Sequence, residues 1–335
     1  MSHIQRTKNA FFIEGGGTKG FFAIGVLKYL FEENEYVNLG NVDLFGGTSI
    51  GSYLACVLSL GYCKSELLKL TTTLDVSNLT DSKYLFFVTL ARFMARGHFY
   101  SEECRETIIK QILQFRIDSI NEHLSLETTI NAIDLTFGHL RRLTELYPHI
   151  YKHLLINVVD ISNNNQIFMT TLKPKWDNIK LYDALLAASS IPFVFKPTIL
   201  YYYPSTRSYG YVKTDESTVN NLIDGGVSTI NPLDFLLLNN DIFANYNLWL
   251  IKFRTYPDHV KINSNVKLLS QIMEFLISRK NDIKMDLIQK TYNINTINLD
   301  TKRKTLEIYT KAEIEQIIDD IYNQCISGTL RFNKE

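Results

Sequence analysis

The chain is poor in the residues that hold small secreted or metal-built domains together. Its 335 residues include only four cysteines, Cys56, Cys63, Cys104 and Cys325, at irregular spacings. That number and pattern speak against a disulfide framework, and reduced thiols are expected. No histidine or cysteine pair stands at an HExxH or CxxC spacing, so neither a metal site nor a cofactor is expected. Neither sign of charge is in excess, with 35 Lys and Arg against 35 Asp and Glu. A neutral chain has no overall pull toward nucleic acid or anionic membranes, and no nucleic-acid partner is expected. Long apolar runs are also missing, and none approaches the roughly eighteen residues that would span a bilayer. The start, Met1 to Asn9, lacks the apolar region of a signal peptide. What remains is enough chain for one large core, or one core with a small appendage.

Glycine, by contrast, is concentrated where chemistry could be done. Ser49 lies in Gly47-Thr48-Ser49-Ile50-Gly51, after the apolar Val42-Asp43-Leu44-Phe45 and before the helix-like Tyr53-Leu54-Ala55-Cys56-Val57-Leu58. This is the pattern of a nucleophile elbow, a sharp strand-to-helix turn that lifts one hydroxyl above a sheet. The flanking Gly47 and Gly51 are needed where a Cβ would strike the neighbouring strand or helix. A purely structural glycine-serine turn reads the same way. Earlier in the chain, the strand-like Phe11-Phe12-Ile13 runs into Glu14-Gly15-Gly16-Gly17-Thr18-Lys19-Gly20 and then a helix-like segment. Three glycines in a row expose backbone N–H groups that can bind an anion, such as the oxyanion formed when a serine attacks an ester. Gly15, Gly17 and Gly20 also match the dinucleotide fingerprint, with Glu32, Glu33 and Glu35 where a ribose-binding acid would be sought. None of those acids ends an obvious second strand, and that reading leaves Ser49 idle. A nucleotide P-loop is excluded, because Lys19 is followed by glycine.

A serine nucleophile needs a base. A hydrolase of the usual chain order places its histidine last. Of His3, His98, His123, His139, His149, His153 and His259, only His259 meets that order, and it is kept as an alternative for a Ser-His-Asp esterase. The better candidate is Asp224 in Leu222-Ile223-Asp224-Gly225-Gly226, at the end of a short apolar strand with Gly225 and Gly226 allowing close backbone approach. A simple turn is the competing reading of that tripeptide.

In order, these elements resemble the patatin-like phospholipase family: Gly15-Gly16-Gly17-Thr18-Lys19-Gly20, Gly47-Thr48-Ser49-Ile50-Gly51 and Asp224-Gly225-Gly226. Ala187-Ala188-Ser189-Ser190-Ile191-Pro192-Phe193-Val194-Phe195-Lys196-Pro197 and Asn231-Pro232 add two further matches. Glu14 departs from the Asp or Ser of many members. The resemblance implies a Ser49-Asp224 dyad cleaving fatty-acyl esters, with the oxyanion held by N–H groups of Gly15, Gly16 and Gly17. Lys19 would orient the loop or meet a lipid phosphate, or stand solvated. Burial of Asp224 beside Leu222 and Ile223 would raise its pKa toward that of a useful base. The implied partner is a phospholipid or other acyl lipid met by peripheral membrane contact, in the cytoplasm or inside a host cell. Head group, acyl position and any protein activator stay open.

Alternating strands and helices imply a central sheet covered on both faces. The resemblance makes this an α/β protein, a three-layer α/β/α sandwich with a mostly parallel sheet, the patatin-like variant of the α/β-hydrolase architecture. Its catalytic domain is expected over residues 9–258. Residues 259–335 are expected to form a mainly helical extension packed on that core, with a strand-like Asn295-Thr296-Ile297-Asn298-Leu299 and a last helix opening on the capping box Thr310 to Glu313. Two segments could touch a membrane or simply be buried: the aromatic stretch from Tyr84 to Phe99, and a tyrosine-rich hairpin from Ile199 to Lys213.

Overall fold

A computed structural model describes residues 7–32, 36–73, 102–125, 128–254, 261–262, 267–268, 271–272, 285, 287–301 and 309–333. In chain order the principal elements are β1 (Lys8–Ile13), α1 (Gly20–Leu30), β2 (Leu44–Thr48), α2 (Ile50–Ser59), α3 (Lys64–Thr73), α4 (Glu103–Leu124) and α5 (Phe137–Leu146). There follow β3 (His153–Asp160), β4 (Asn165–Thr170), α6 (Leu181–Ala188), β5 (Thr198–Tyr203), β6 (Ser208–Gly210), β7 (Thr218–Asp224), β8 (Tyr246–Arg254), β9 (Ile294–Asp300), α7 (Lys311–Ile326) and β10 (Phe332–Asn333). The aromatic stretch 84–99 lies outside the described residues.

Strands buried on both faces read as nearly continuous apolar runs. Successive side chains of such a strand point to opposite faces, so the odd and even residues must enter different cores. They do. Phe11, Ile13, Phe45, Ile156, Val158, Trp249, Ile251, Ile297 and Leu299 pack into one cluster with the apolar faces of the flanking helices. Their strand neighbours Ala10, Phe12, Leu44, Leu155, Leu248, Leu250 and Ile294 pack into a second, with Leu233, Phe235, Phe243, Ile288 and Tyr292. Two cores on one sheet make three layers, as expected for the α/β/α class. Five strands, in the order β9-β8-β1-β2-β3, are mutually parallel, and antiparallel strands continue the sheet on both sides.

The C-terminal residues take part in this sheet. β9 pairs with β8 from Leu248 opposite Ile294 to Arg254 opposite Asp300. α7, capped by Thr310 and Glu313, crosses α1 closely, where a Cβ on Gly25 would lie 2.7 Å from Ile321 Cβ. The tyrosine-rich segment is a hairpin, with Tyr202 opposite Tyr209 and the two rings 5.0 Å apart. Among the described residues no helix is long and apolar enough to cross a membrane.

The sheet brings two distant segments together through β3. Thr48 at the end of β2 lies opposite Asn157, and Asp224 at the end of β7 lies opposite Val158. β4 pairs along Leu155–Asp160 and so occupies the other edge of β3. β2 and β7 therefore share one edge, run toward each other, and stop on adjacent residues.

Candidate active site

At the meeting point β2 turns into α2 through Ser49, whose φ of 54° and ψ of −125° are strained for a residue with a side chain. The turn is held by close backbone contact. A Cβ on Gly47 would lie 2.1 Å from the Gly51 carbonyl, and one on Gly51 would lie 2.2 Å from the Ile13 carbonyl oxygen. Neither position admits any other residue, which is the physical content of the glycine spacing.

Asp224 comes to the same place from β7. It is 4% exposed, its backbone N–H donates to the Ser190 carbonyl at 3.0 Å, and its Oδ1 accepts the Gly226 N–H at 2.7 Å. Gly225 must be glycine, because a Cβ there would lie 2.4 Å from the Asn157 carbonyl oxygen. Burial pushes the Asp224 carboxyl up to about 6, against the lowering pull of a hydrogen bond from Ser49, the Gly226 N–H and the charge of Arg105. A serine hydroxyl within reach of a carboxylate of this kind can hand its proton to that carboxylate.

The same burial makes a stability prediction. Relative to an unfolded aspartate near 3.9, the ionised side chain costs the native state up to about 3 kcal/mol. For a raised native value, this cost is absent below about pH 4, grows through the window to about pH 6 and is constant above it. Asp224→Asn keeps the shape and removes the charge. Urea unfolding is therefore expected to find it about 2 kcal/mol more stable than wild type at pH 8, the gap closing toward pH 4. A variant no more stable at pH 8 contradicts this account of the site.

The triple-glycine loop lies against the elbow, since a Cβ on Gly15 would be 3.2 Å from Ser49 Cβ. The Gly15 N–H already donates to the Ile230 carbonyl at 2.7 Å. Those of Gly16 and Gly17 have no acceptor among the described residues, and Gly17 adopts a left-handed φ of 57°. Lys19 is 4% exposed, so it is not a solvated lysine, and Gly20 opens α1. The ribose-acid reading finds no support in Glu32, which is bonded to Lys64 and Tyr322, while the strand after α1 ends in the elbow. His259 lies outside the described residues. His123, His139 and His153 have other partners: Tyr151, the Thr136 cap and Thr171.

Two residues at the site were not singled out from the sequence. Asn157, fully buried in β3, donates from Nδ2 to Thr48 Oγ1 at 3.0 Å and to the Thr229 carbonyl at 3.1 Å. Gln166 Nε2 donates to its Oδ1, and Ser228 Oγ donates in turn to Gln166 Oε1. The network joins the ends of β2 and β7. Its signal was available, as Asn157 is the one polar residue within Leu154–Val159. Arg105, the second, carries no such signal.

A profile of patatin-like phospholipases matches residues 11–237. Protein L620 of Acanthamoeba polyphaga mimivirus, itself uncharacterized, is 47% identical over 339 residues, covering 99% of this chain and 91% of its own length. A cUMP-AMP-activated phospholipase of Escherichia coli is 26% identical, over 88% of this chain and 76% of the relative. A cGAMP-activated phospholipase of Vibrio cholerae is 27% identical, over 69% of this chain and 57% of the relative. The crystal structure of VipD from Legionella pneumophila shares the fold, with a TM-score of 0.54 at 15% identity over 96% of this chain and 66% of that one. With the profile spanning both glycine motifs and the Asp-Gly-Gly turn, the chain belongs to the patatin-like phospholipase family.

Proposed function

We propose that the protein is a lipid acyl hydrolase of the phospholipase A or lysophospholipase type, with Ser49 as nucleophile and Asp224 as its base. The observation that carries this is the buried carboxylate of Asp224 brought by β7 to the end of β2, where Ser49 is held in strained elbow geometry near enough to act on its pKa. Ser49 Oγ attacks the acyl carbonyl as its proton passes to Asp224, and Asp224 returns a proton to the departing alcohol. Water then cleaves the acyl-enzyme, with Asp224 again taking the proton. The tetrahedral oxyanion falls to the glycine loop. Gly16 and Gly17 offer the unengaged N–H groups, and Gly15, bonded to Ile230, anchors the turn that aims them. The catalytic unit is residues 9–258, and the C-terminal extension completes its sheet. The substrate is drawn from a lipid surface by peripheral contact.

The test is fatty-acid release from phosphatidylcholine and lysophosphatidylcholine vesicles, beside labelling by a serine-directed fluorophosphonate. Two relatives are named for activation by cUMP-AMP and cGAMP, so each nucleotide is included in a parallel arm. Fatty-acid release and labelling confined to Ser49 support the proposal. Release of a head group instead, or labelling at another residue, overturns it.

The pH profile is a second expectation. The base works only when ionised, so kcat/KM should fall tenfold per unit below about pH 6, the value to which burial raises Asp224. An acid limb near pH 4, where an ordinary solvated aspartate titrates, contradicts the assignment.

A further inference from the structure

A guanidinium taken out of water is costly unless its five N–H donors are met. Arg105 on α4 is 2% exposed. Its Nη1 lies within hydrogen-bond distance of the Leu186 carbonyl (3.3 Å), Ser189 Oγ (3.1 Å) and Ser190 Oγ (3.3 Å). Among the described residues its Nε and Nη2 have no hydrogen-bond acceptor, and Nη2 has only a long ion pair, 3.6 Å, to Glu102. Its Cζ lies over the Phe195 ring, 4.0 Å from the ring centroid. The groups that face the charge are Tyr53 from α2, Glu102 at the start of α4 and Glu106 within it, and Asp224 from β7. An apolar residue would fill this space without leaving donors unmet, so packing alone does not account for an arginine here.

The Ser189-Ser190 turn that Arg105 grips is the one on which both members of the Ser49–Asp224 pair lean. The Ser190 carbonyl accepts the Asp224 backbone N–H at 3.0 Å. Ser189 Oγ accepts from the Tyr53 hydroxyl at 2.9 Å, and Tyr53 stands one helical turn beyond Ser49. We propose that Arg105 is a positioning residue for the pair: it clamps this turn and sets a fixed positive charge that acts on the Asp224 carboxylate. The inference rests on the Ser49–Asp224 reading above. Two consequences are separable. The clamp sets where the base sits, and the charge keeps the base ionised at neutral pH in a site whose burial favours the protonated form. The other groups acting on the Asp224 carboxylate, Ser49 and the Gly226 N–H, are neutral, so among the described residues Arg105 is the one cation acting on it.

The test compares Arg105→Gln and Arg105→Lys with wild type, by kcat and KM for vesicle hydrolysis across pH 5 to 9. Arg105→Gln should move the acid limb up by about one pH unit, lowering the rate at pH 6 about fivefold and restoring most of it by pH 8.5, with KM unchanged. Arg105→Lys keeps the charge and loses the fork, so its limb should stay within a few tenths of wild type. A Gln profile that overlays wild type overturns the proposal, as does a loss equal at every pH that lysine does not rescue. Where the Gln variant fails to fold, Arg105→Met, which keeps the stem over Phe195, carries the same expectation. If both fail to fold while Arg105→Lys matches wild type in stability and profile, the residue is structural and the proposal falls. Ser49→Ala and Asp224→Asn run alongside. If they stay active the dyad reading has failed, and if they are dead while Arg105→Gln is wild-type, the Arg105 assignment alone has failed.

Discussion

Ser49→Ala is expected to lower fatty-acid release by about 10⁴- to 10⁶-fold, with thermal stability and vesicle binding unchanged. The size of the loss follows from what the residue supplies. Without Oγ there is no acyl-enzyme, and water would have to attack the ester directly beside a carboxylate placed for another oxygen. Asp224→Asn should cost nearly as much, because the amide cannot take a proton from the hydroxyl it faces. The more telling measurement is the double variant. Two groups that act as one unit lose their effect together, so Ser49→Ala/Asp224→Asn should be no worse than the weaker single variant. Additive losses, or single variants within tenfold of wild type, would sink the dyad. Fluorophosphonate labelling separates the roles: absent in Ser49→Ala, slowed but present at one site in Asp224→Asn.

The second large effect concerns folding. Gly47→Ala places a methyl carbon 2.1 Å from the Gly51 carbonyl, a distance at which backbone must move. Neither wall can yield, since Gly51 itself is pressed against the Ile13 carbonyl of β1 and Ser52 Oγ donates back to the Gly47 carbonyl at 2.9 Å. Relief would require α2 to lift from β1 and β2 and open the larger core. A loss of about 4 kcal/mol is expected, a fall of about 10 °C in Tm, with activity lost even in the fraction that folds. Gly226→Ala is the control from the same site. A Cβ there meets nothing closer than the Asp224 carboxylate oxygen at 3.1 Å, so its effect on Tm should be small. Equal losses in the two variants would contradict the crowding account.

The parts of the site that sequence made legible are those in which chemistry imposes a local glycine pattern. The elbow needs Gly47 and Gly51 four apart because one helical turn returns the chain to the strand it left, and Gly225 is needed where the chain passes over Asn157. The sheet covered on both faces was legible because strands and helices alternate along the chain, and the three-layer arrangement followed from the family resemblance. Nonlocal facts were not. Nothing in Phe11–Gly17 reveals that the Gly15 N–H is spent on Ile230, since that partner is set by where the loop before residue 232 crosses β1. Arg105 looks like any helix arginine between Glu103 and Glu106, and only tertiary packing decides that it points inward. Likewise, the segment after residue 258 reads as a mainly helical extension with a strand-like Asn295–Leu299, and nothing local names that strand's partner. The pairing that carries β9 into the sheet depends on β8, some forty residues earlier.

The end-to-end meeting of β2 and β7 on one edge of β3 has a consequence for when the proposed activity can appear. Ser49 emerges early in synthesis, but its partner arrives on a strand that can be placed only after β3 has been laid beside β2. A slip of one residue in β7 would turn Asp224 to the opposite side of the sheet and leave the serine without a base. Hydrolytic competence therefore comes all at once, with correct closure of that edge. On the proposed reading, a partly made chain holds Ser49 without the carboxylate that would activate it.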